Sequence, residues 1–317
     1  MTDTLWDVVV VGGGAAGLSA ALMLGRARRR VLVADAGEPR NRFTDHMHAV
    51  LGRDGTSPAA LLADGRTELA AYGVEVRNAA VTSAERLDDG FLITVGDGQI
   101  RTRHLLVTTG LRDVLPELPG LATWWGRGVA VCPYCDAYEV RDQRIGILAT
   151  GPNSLFQAQL LRQWTETVIY LADAVGAPTG DDLARFKARG IEIVEGPIAR
   201  VVDDGARLTG VEMEDGAVVA LDAIFTSPRF VPQDALLRSL GTETVESPIG
   251  SLVRVDPTGT TSVPGLWAAG NVVNPVANVP ISIGAGAAVG GAINHSLVLD
   301  DVAVARAVHA ASEGTPA

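Results

Sequence analysis

The residues of this 317-residue chain with the plainest chemical potential are Cys132, Pro133, Tyr134, Cys135 and Asp136, which hold both of its cysteines with a carboxylate directly behind them. A Cys-x-x-Cys pair entering a helix places one sulfur near the positive end of the macrodipole, which lowers its pKa and favours the thiolate that exchanges with disulfides. Asp136 is placed to carry protons to and from such thiols. Two other readings of the pair are half of a zinc site and a pair of unreactive buried thiols. Zinc would need two further ligands, and neither a second cysteine pair nor histidines at ligand spacing supply them.

A second chemistry is written near the start. Asp7 to Val11 is a short apolar run of β-branched residues, and Gly12-Gly13-Gly14-Ala15-Ala16-Gly17 follows it directly before a helical pattern. In a dinucleotide fingerprint Gly12 permits the tight turn, Gly14 lets the backbone approach a pyrophosphate, and Gly17 allows close helix packing. The amides of Ala15 and Ala16 at the helix start face the anion. A second strand, Val31 to Ala34, ends in Asp35 and Ala36, where a carboxylate binds ribose hydroxyls.

Further along, Arg144 to Leu148 enters Ala149-Thr150-Gly151-Pro152-Asn153-Ser154 and a helix, repeating the first layout with its signature eroded. Ala149 and Ser154 stand at the outer glycine positions, and Pro152 removes an amide that a pyrophosphate would want. Asp173, after the following strand, would repel the 2′-phosphate of NADPH. NADPH is therefore an unlikely ligand.

Other elements must position these two chemistries. Gly37 to Gly55 is a long polar loop whose Arg40, Asn41, His46 and His48 line the cofactor or substrate entrance, unless they are only solvated. Ser57 caps a helix that begins at Pro58. The buried strand from His104 ends in Thr108, Thr109 and Gly110. Near the C-terminus Leu266 to Ala268 is a strand that runs into Gly270 and Asn271. Asn278 and Val279 open a last helix, whose apolar Ala277 to Ile293 stretch reads as buried rather than as a bilayer span.

Composition narrows the classes. The formal net charge is −11 and no basic stripe is interleaved with aromatics, so nucleic acid is not an expected partner. The one basic run, Arg28 to Arg30, falls where the first helix should end and reads as dipole compensation. The opening residues do not read as a signal peptide, which makes the cytoplasm the default compartment.

Gly12 to Gly17, Thr108 to Gly110, Cys132 to Asp136 and Leu266 to Asn271, in that order, resemble the low-molecular-weight thioredoxin reductase family over most of the chain. Within it, Cys132-Pro133-Tyr134-Cys135, the loop through His46 and His48, and the eroded nicotinamide site resemble the FAD-dependent dithiol oxidases of gliotoxin- and holomycin-type natural products. The resemblance implies an α/β chain of two Rossmann-like, three-layer ββα domains, the second inserted into the first. Residues 1–112 and 244–317 would bind FAD. Residues 113–243 would form a degenerate NAD(P)-binding-like domain carrying the dithiol.

The family pattern places FAD on Gly12, Gly14, Ala15, Ala16, Gly17, Asp35, Ala36, Arg40, Asn41, His48, Thr109, Gly110, Gly270, Asn271, Asn278 and Val279. Cys135 would be the sulfur beside the flavin, Cys132 the exchanging one, and Asp136 the acid. Asn271 replaces the family's aspartate, Ala277 and Asn278 stand for its Arg-Gln, and Asp136 departs from the histidine that several of the oxidases carry. The implied activity is a homodimer closing a disulfide in a small-molecule dithiol, with oxygen reduced to peroxide. The alternatives are a disulfide reductase fed by NADPH, ferredoxin or another donor, and a flavoprotein redox sensor.

Overall fold

A computed structural model of the chain describes residues 5–313. They divide into two compact units, the first made of residues up to Arg40, Ala59–Arg112 and Val231 onward, the second of Asn41–Pro58 and Asp113–Phe230. Residues 231–243 therefore pack with the first unit, and 41–58 with the second.

The first unit is built on a sheet in the order Glu75–Asn78, Val31–Asp35, Leu5–Val11, Gly98–Val107, Gly90–Val95, Val81–Leu87, with Leu266–Ala268 also paired to Gly98–Val107. The Leu5–Val11 strand lies parallel between its neighbours, Val8 opposite both Val31 and His104. Both faces of this sheet are covered, which is why Val8 to Val11 is an unbroken apolar run rather than an alternating one. Val8, Val10, Val31, Val33 and Leu106 pack on one side, while Val9, Val11, Leu32, Leu105 and Val107 pack on the other.

The helix Ala15–Arg26 follows the first strand, and the helix Val279–Glu313 lies against it. Their contact depends on small residues. A Cβ on Gly286 would collide with the Ala16 carbonyl, and one on Gly290 would stand 2.8 Å from the Ala20 carbonyl oxygen. The Ser19 hydroxyl donates to the Ile283 carbonyl at 2.8 Å across the same seam. Val279–Ser312 is the one helix among the described residues long and apolar enough to cross a membrane. Val289, Ile293 and Leu297 nevertheless sit in the core beneath the sheet, so its first half serves as an ordinary packing helix.

The basic run is corrected here. Ala27 caps the helix and Arg28 turns left-handed at φ 62°, so only Arg26 of the local arginines lies in the last turn. Arg29 instead reaches Asn294 at 2.8 Å and Asp301 at 2.7 Å on the last helix, and Arg30 lies over the Trp6 ring at 5.0 Å. The run fastens the ends of the unit together more than it compensates a dipole.

The second unit repeats the plan with five parallel strands in the order Glu192–Val194, Val168–Leu171, Ile145–Leu148, Ala223–Thr226, Val129–Ala130. An antiparallel sheet of Ile198–Asp203, Leu208–Met213 and Val218–Ala220 joins it. Both units are thus Rossmann-like α/β structures. The short edge strand Val129–Ala130 ends two residues before Cys132, so the dithiol emerges at the carboxyl end of a parallel sheet, the end at which such folds bind and react.

Candidate active site

Cys132 and Cys135 are joined as a disulfide, with their Cα atoms 5.2 Å apart. Cys132 is the N-cap of the helix Pro133–Asp136, and its carbonyl accepts from the amides of Cys135 (3.0 Å) and Asp136 (3.2 Å). Pro133, buried at the first helical position, has no amide to leave unpaired there. The helix is only one turn long. The macrodipole expected to activate a cysteine is therefore a few local amides, since a dipole grows with the number of aligned peptides. Gln157 holds the approach from behind, its Nε2 donating to the Val131 carbonyl at 2.8 Å.

Asp136 is half-buried behind the disulfide, and burial pushes its carboxyl up to about 6. His46 opposes that rise, Glu139 adds to it and His48 opposes it. The two histidines come from the 41–58 loop. His48 lies between Glu139 (3.2 Å) and Asp54 (3.4 Å), with its ring 5.1 Å from that of His46. The loop is pinned locally: Met47 and Val50 are buried, the Met47 amide donates to Thr56, and Gly126 is bare where a side chain would meet the Phe43 carbonyl. Arg40, Asn41 and His48, read together as cofactor contacts, are thereby divided, Arg40 going to the first unit and the other two to the unit of the dithiol. A carboxyl that titrates near neutrality beside an exchange-competent disulfide can take a proton from an attacking thiol and return it to a departing one.

In the first unit the glycine turn is shaped by close approaches. Gly12 has φ 104°, and a Cβ there would stand 2.6 Å from the Thr108 carbonyl oxygen, while one on Gly17 would strike the Gly12 carbonyl. Thr108 closes the turn by donating to the carbonyls of Val11 (3.0 Å) and Gly12 (2.8 Å). Gly14 differs, because a Cβ there would project into open space. It is the N-cap of Ala15–Arg26, the helix that begins with Ala15 and Ala16, and makes no side-chain cap. Bareness without packing demand suits the approach of a pyrophosphate. Gly270, with φ 77°, comes close to Ala16, and Gly286 brings the start of Val279–Glu313 to the same place.

Several expected contacts have protein partners. Asp35 is ion-paired with Arg66, and its other oxygen accepts from the Gly37 amide just past Ala36. Arg66 keeps a buried Nε without a partner. Asn271 Nδ2 donates to the carbonyls of Asn274 (3.0 Å) and Ala277 (2.8 Å), and Arg40 donates to the Pro275 carbonyl at 3.1 Å. Asn278 Oδ1 accepts from the Ile281 amide at 3.2 Å, capping the helix that opens at Val279. Thr109 and Gly110 are tied to Gln233, which donates Nε2 to the Thr109 carbonyl (2.8 Å) and its amide to the Gly110 carbonyl (3.0 Å). Arg66 and Gln233 carry no motif signal. Sites 31 and 124 residues away from their partners announce themselves only once folded.

In the corresponding turn of the second unit one amide is engaged and one is missing. Ser154 is fully buried, and its hydroxyl accepts the Thr150 amide at 3.1 Å. Pro152 has no amide to offer. Asp173 Oδ1 accepts from the Ile198 amide at 3.0 Å, so its carboxylate also has a structural task.

A family model for the pyridine nucleotide-disulphide oxidoreductases matches residues 6–313. The chain belongs to that family. The pyridine nucleotide-disulphide oxidoreductase relatives include thioredoxin reductase tcpT of Claviceps purpurea, 31% identical over 94% of this chain and 96% of that one. Thioredoxin reductase sirT of Leptosphaeria maculans is 29% identical over 95% and 97%. Among solved structures, HlmI is 44% identical with TM-score 0.92 over 98% of each chain. An oxidoreductase from Agrobacterium tumefaciens is 34% identical with TM-score 0.87 over 93% and 99%. Membership makes the chain an oxidoreductase of the thioredoxin reductase-like flavoproteins and implies FAD as its cofactor. The bare turn at Gly14 and the close approaches at Gly12, Gly17 and Gly270 fit that group.

Proposed function

We propose that this oxidoreductase is a dithiol oxidase, closing an intramolecular disulfide in a small-molecule dithiol and reducing oxygen to hydrogen peroxide. The observation that carries this direction is the Ser154 hydroxyl on the Thr150 amide, together with Pro152. Of the amides a nicotinamide cofactor's pyrophosphate would use, the one at Thr150 is engaged and the one at Pro152 is missing, which supports the entry of electrons through thiols. The similarity to HlmI and the resemblance to natural-product dithiol oxidases support the same direction.

The reaction starts with a substrate thiolate attacking Cys132 Sγ. The Cys132–Cys135 bond breaks, and Cys135 leaves as a thiolate. Asp136 takes the proton of the substrate's thiol. The second substrate thiol then attacks the substrate sulfur of the mixed disulfide, releasing Cys132 and the cyclic product, so that two electrons remain on the enzyme dithiol. Bound FAD would supply the two-electron acceptor that restores the enzyme disulfide and passes the pair to oxygen. The assembly would be the homodimer the resemblance implies, acting in the cytoplasm. Val298, Leu299, Val302, Val304 and Val308, exposed on the second half of the last helix, offer apolar surface for such an assembly.

The test is aerobic incubation of the flavin-loaded protein with a panel of small dithiols, dithiothreitol included, following oxygen. Uptake with one peroxide and one substrate disulfide per turnover is expected. No uptake with any dithiol, together with efficient disulfide reduction by photoreduced enzyme or reduced ferredoxin, would reverse the flow and make the chain a reductase, the name its fungal relatives carry.

A further inference from the structure

Tyr134, between the two cysteines, has no part in the exchange. It stands 69% exposed with its ring edge-on to Trp164, centroids 5.8 Å apart. With Phe156, itself 69% exposed, and Leu160, these rings line an open groove of about 500 Å³ within the second unit. Its polar lining comes from Gln159, Gln163 and Arg189. Arg189 Nη1 donates to the Gln159 carbonyl at 2.7 Å and to Gln159 Oε1 at 3.2 Å, which fixes both side chains and leaves the rest of the guanidinium fork available. Gln159 Nε2 is shielded from water and has no hydrogen-bond partner.

These features ask for one kind of ligand. An arginine fork favours an anionic, planar acceptor. Exposed aromatic rings favour a flat, apolar partner. The volume falls within the range of small-molecule clefts, roughly 300–1,000 Å³. Tyr134, which lines the groove, is bonded to Cys135 and lies two residues from Cys132, which sets the groove beside the turn that carries the disulfide.

We propose that this groove is the specificity site for the part of the substrate remote from its thiols, and that it takes an aromatic or conjugated ring bearing a carboxylate. The proposal rests on the reading of Cys132 and Cys135 as a disulfide that accepts small dithiols. It adds that the preferred substrate is an aryl-carboxylate dithiol, with the ring against Tyr134, Phe156 and Trp164 and the carboxylate on Arg189.

Two probes separate the proposal from the reading beneath it: 2-(4-carboxyphenyl)butane-1,4-dithiol, which can close to a six-membered cyclic disulfide as dithiothreitol does, and its S,S-dimethyl thioether, which cannot exchange. Calorimetric titration of the oxidised, flavin-loaded protein with the thioether should give saturable binding. Arg189→Gln and Phe156→Ala should each weaken that binding about tenfold, the size of a lost charge-assisted contact. Phe156 is exposed, so its variant tests the groove even if Arg189→Gln folds poorly, with retained flavin absorbance as the check. In turnover, the ratio of kcat/KM for the aryl dithiol over dithiothreitol should fall by a similar factor in both variants. No binding of the thioether, or binding that neither variant weakens, overturns the groove proposal even when dithiols are oxidised. Failure of every dithiol to turn over overturns the oxidase reading instead, while the thioether titration still decides the groove.

Discussion

Asp136 concentrates the residue-scale chemistry. Burial disfavours its charged form and lifts it to about 6, so it is protonated below that pH and becomes a base above it. Anaerobic reduction of the enzyme by a dithiol should therefore rise through pH 6 and level off, followed as flavin bleaching by stopped flow. Asp136→Asn should remove this limb and slow the step by about 10²- to 10⁴-fold while flavin is retained, since an amide cannot accept the proton. An unchanged profile would take the proton transfer away from Asp136. His46 pulls the carboxyl down from where burial alone would set it, so His46→Gln should move the limb to higher pH. The cysteine roles implied by the resemblance separate spectrally. Cys132→Ser should give a long-wavelength charge-transfer band from a free Cys135 thiolate beside oxidised flavin, and Cys135→Ser should not; the opposite pattern exchanges the two roles.

At the scale of elements, the seam between Ala15–Arg26 and Val279–Glu313 holds the glycine turn in place. Gly286→Val would drive a branched side chain into the Ala16 backbone, and neighbouring helices cannot yield at a carbonyl. A loss of about 1–3 kcal/mol in stability and weakened flavin retention are expected, measured by urea midpoint and by absorbance after gel filtration. A stable, fully flavinylated variant would mean that the helices can separate there. This seam also marks what the sequence makes legible. The turn at Gly12 to Gly17, the strand before it and the helix after it are local, and spacing alone reveals them. The apolar run Ala277 to Ile293 likewise reads correctly as a packing helix. What spacing does not carry is contact between distant residues: Arg66 on Asp35, Gln233 on Thr109, Arg29 on Asp301. The dipole argument for the cysteines overreached for a related reason, since Cys132 begins a helix whose length of one turn no residue pattern announces. The histidines of the 41–58 loop belong with Asp136 because that loop packs with the second unit, a preference invisible in a polar loop.

For the whole molecule the deciding question is where electrons enter. Two Rossmann-like units on one chain ordinarily invite two dinucleotides, yet their turns differ in the atoms that meet a pyrophosphate. At Gly14 a side chain would meet nothing, so the backbone there is bare. In the second unit the Thr150 amide is given to Ser154, and Pro152 has none. Backbone amides at a helix start hold anions in such folds, so each one engaged or missing weakens the site. On the family pattern the carboxylate of Asp173 would meet the 2′-phosphate of NADPH, and its bond to the Ile198 amide holds it in place. Excess NADPH or NADH should therefore leave the flavin spectrum unchanged under anaerobic conditions, while a dithiol bleaches it at the same concentration. Ser154→Gly alone should not restore reduction by NADPH, because Pro152 and Asp173 remain. Rapid bleaching of the wild-type protein by NADPH would show that this turn still admits a nicotinamide donor, and the direction of electron flow proposed for this chain would have to be reversed.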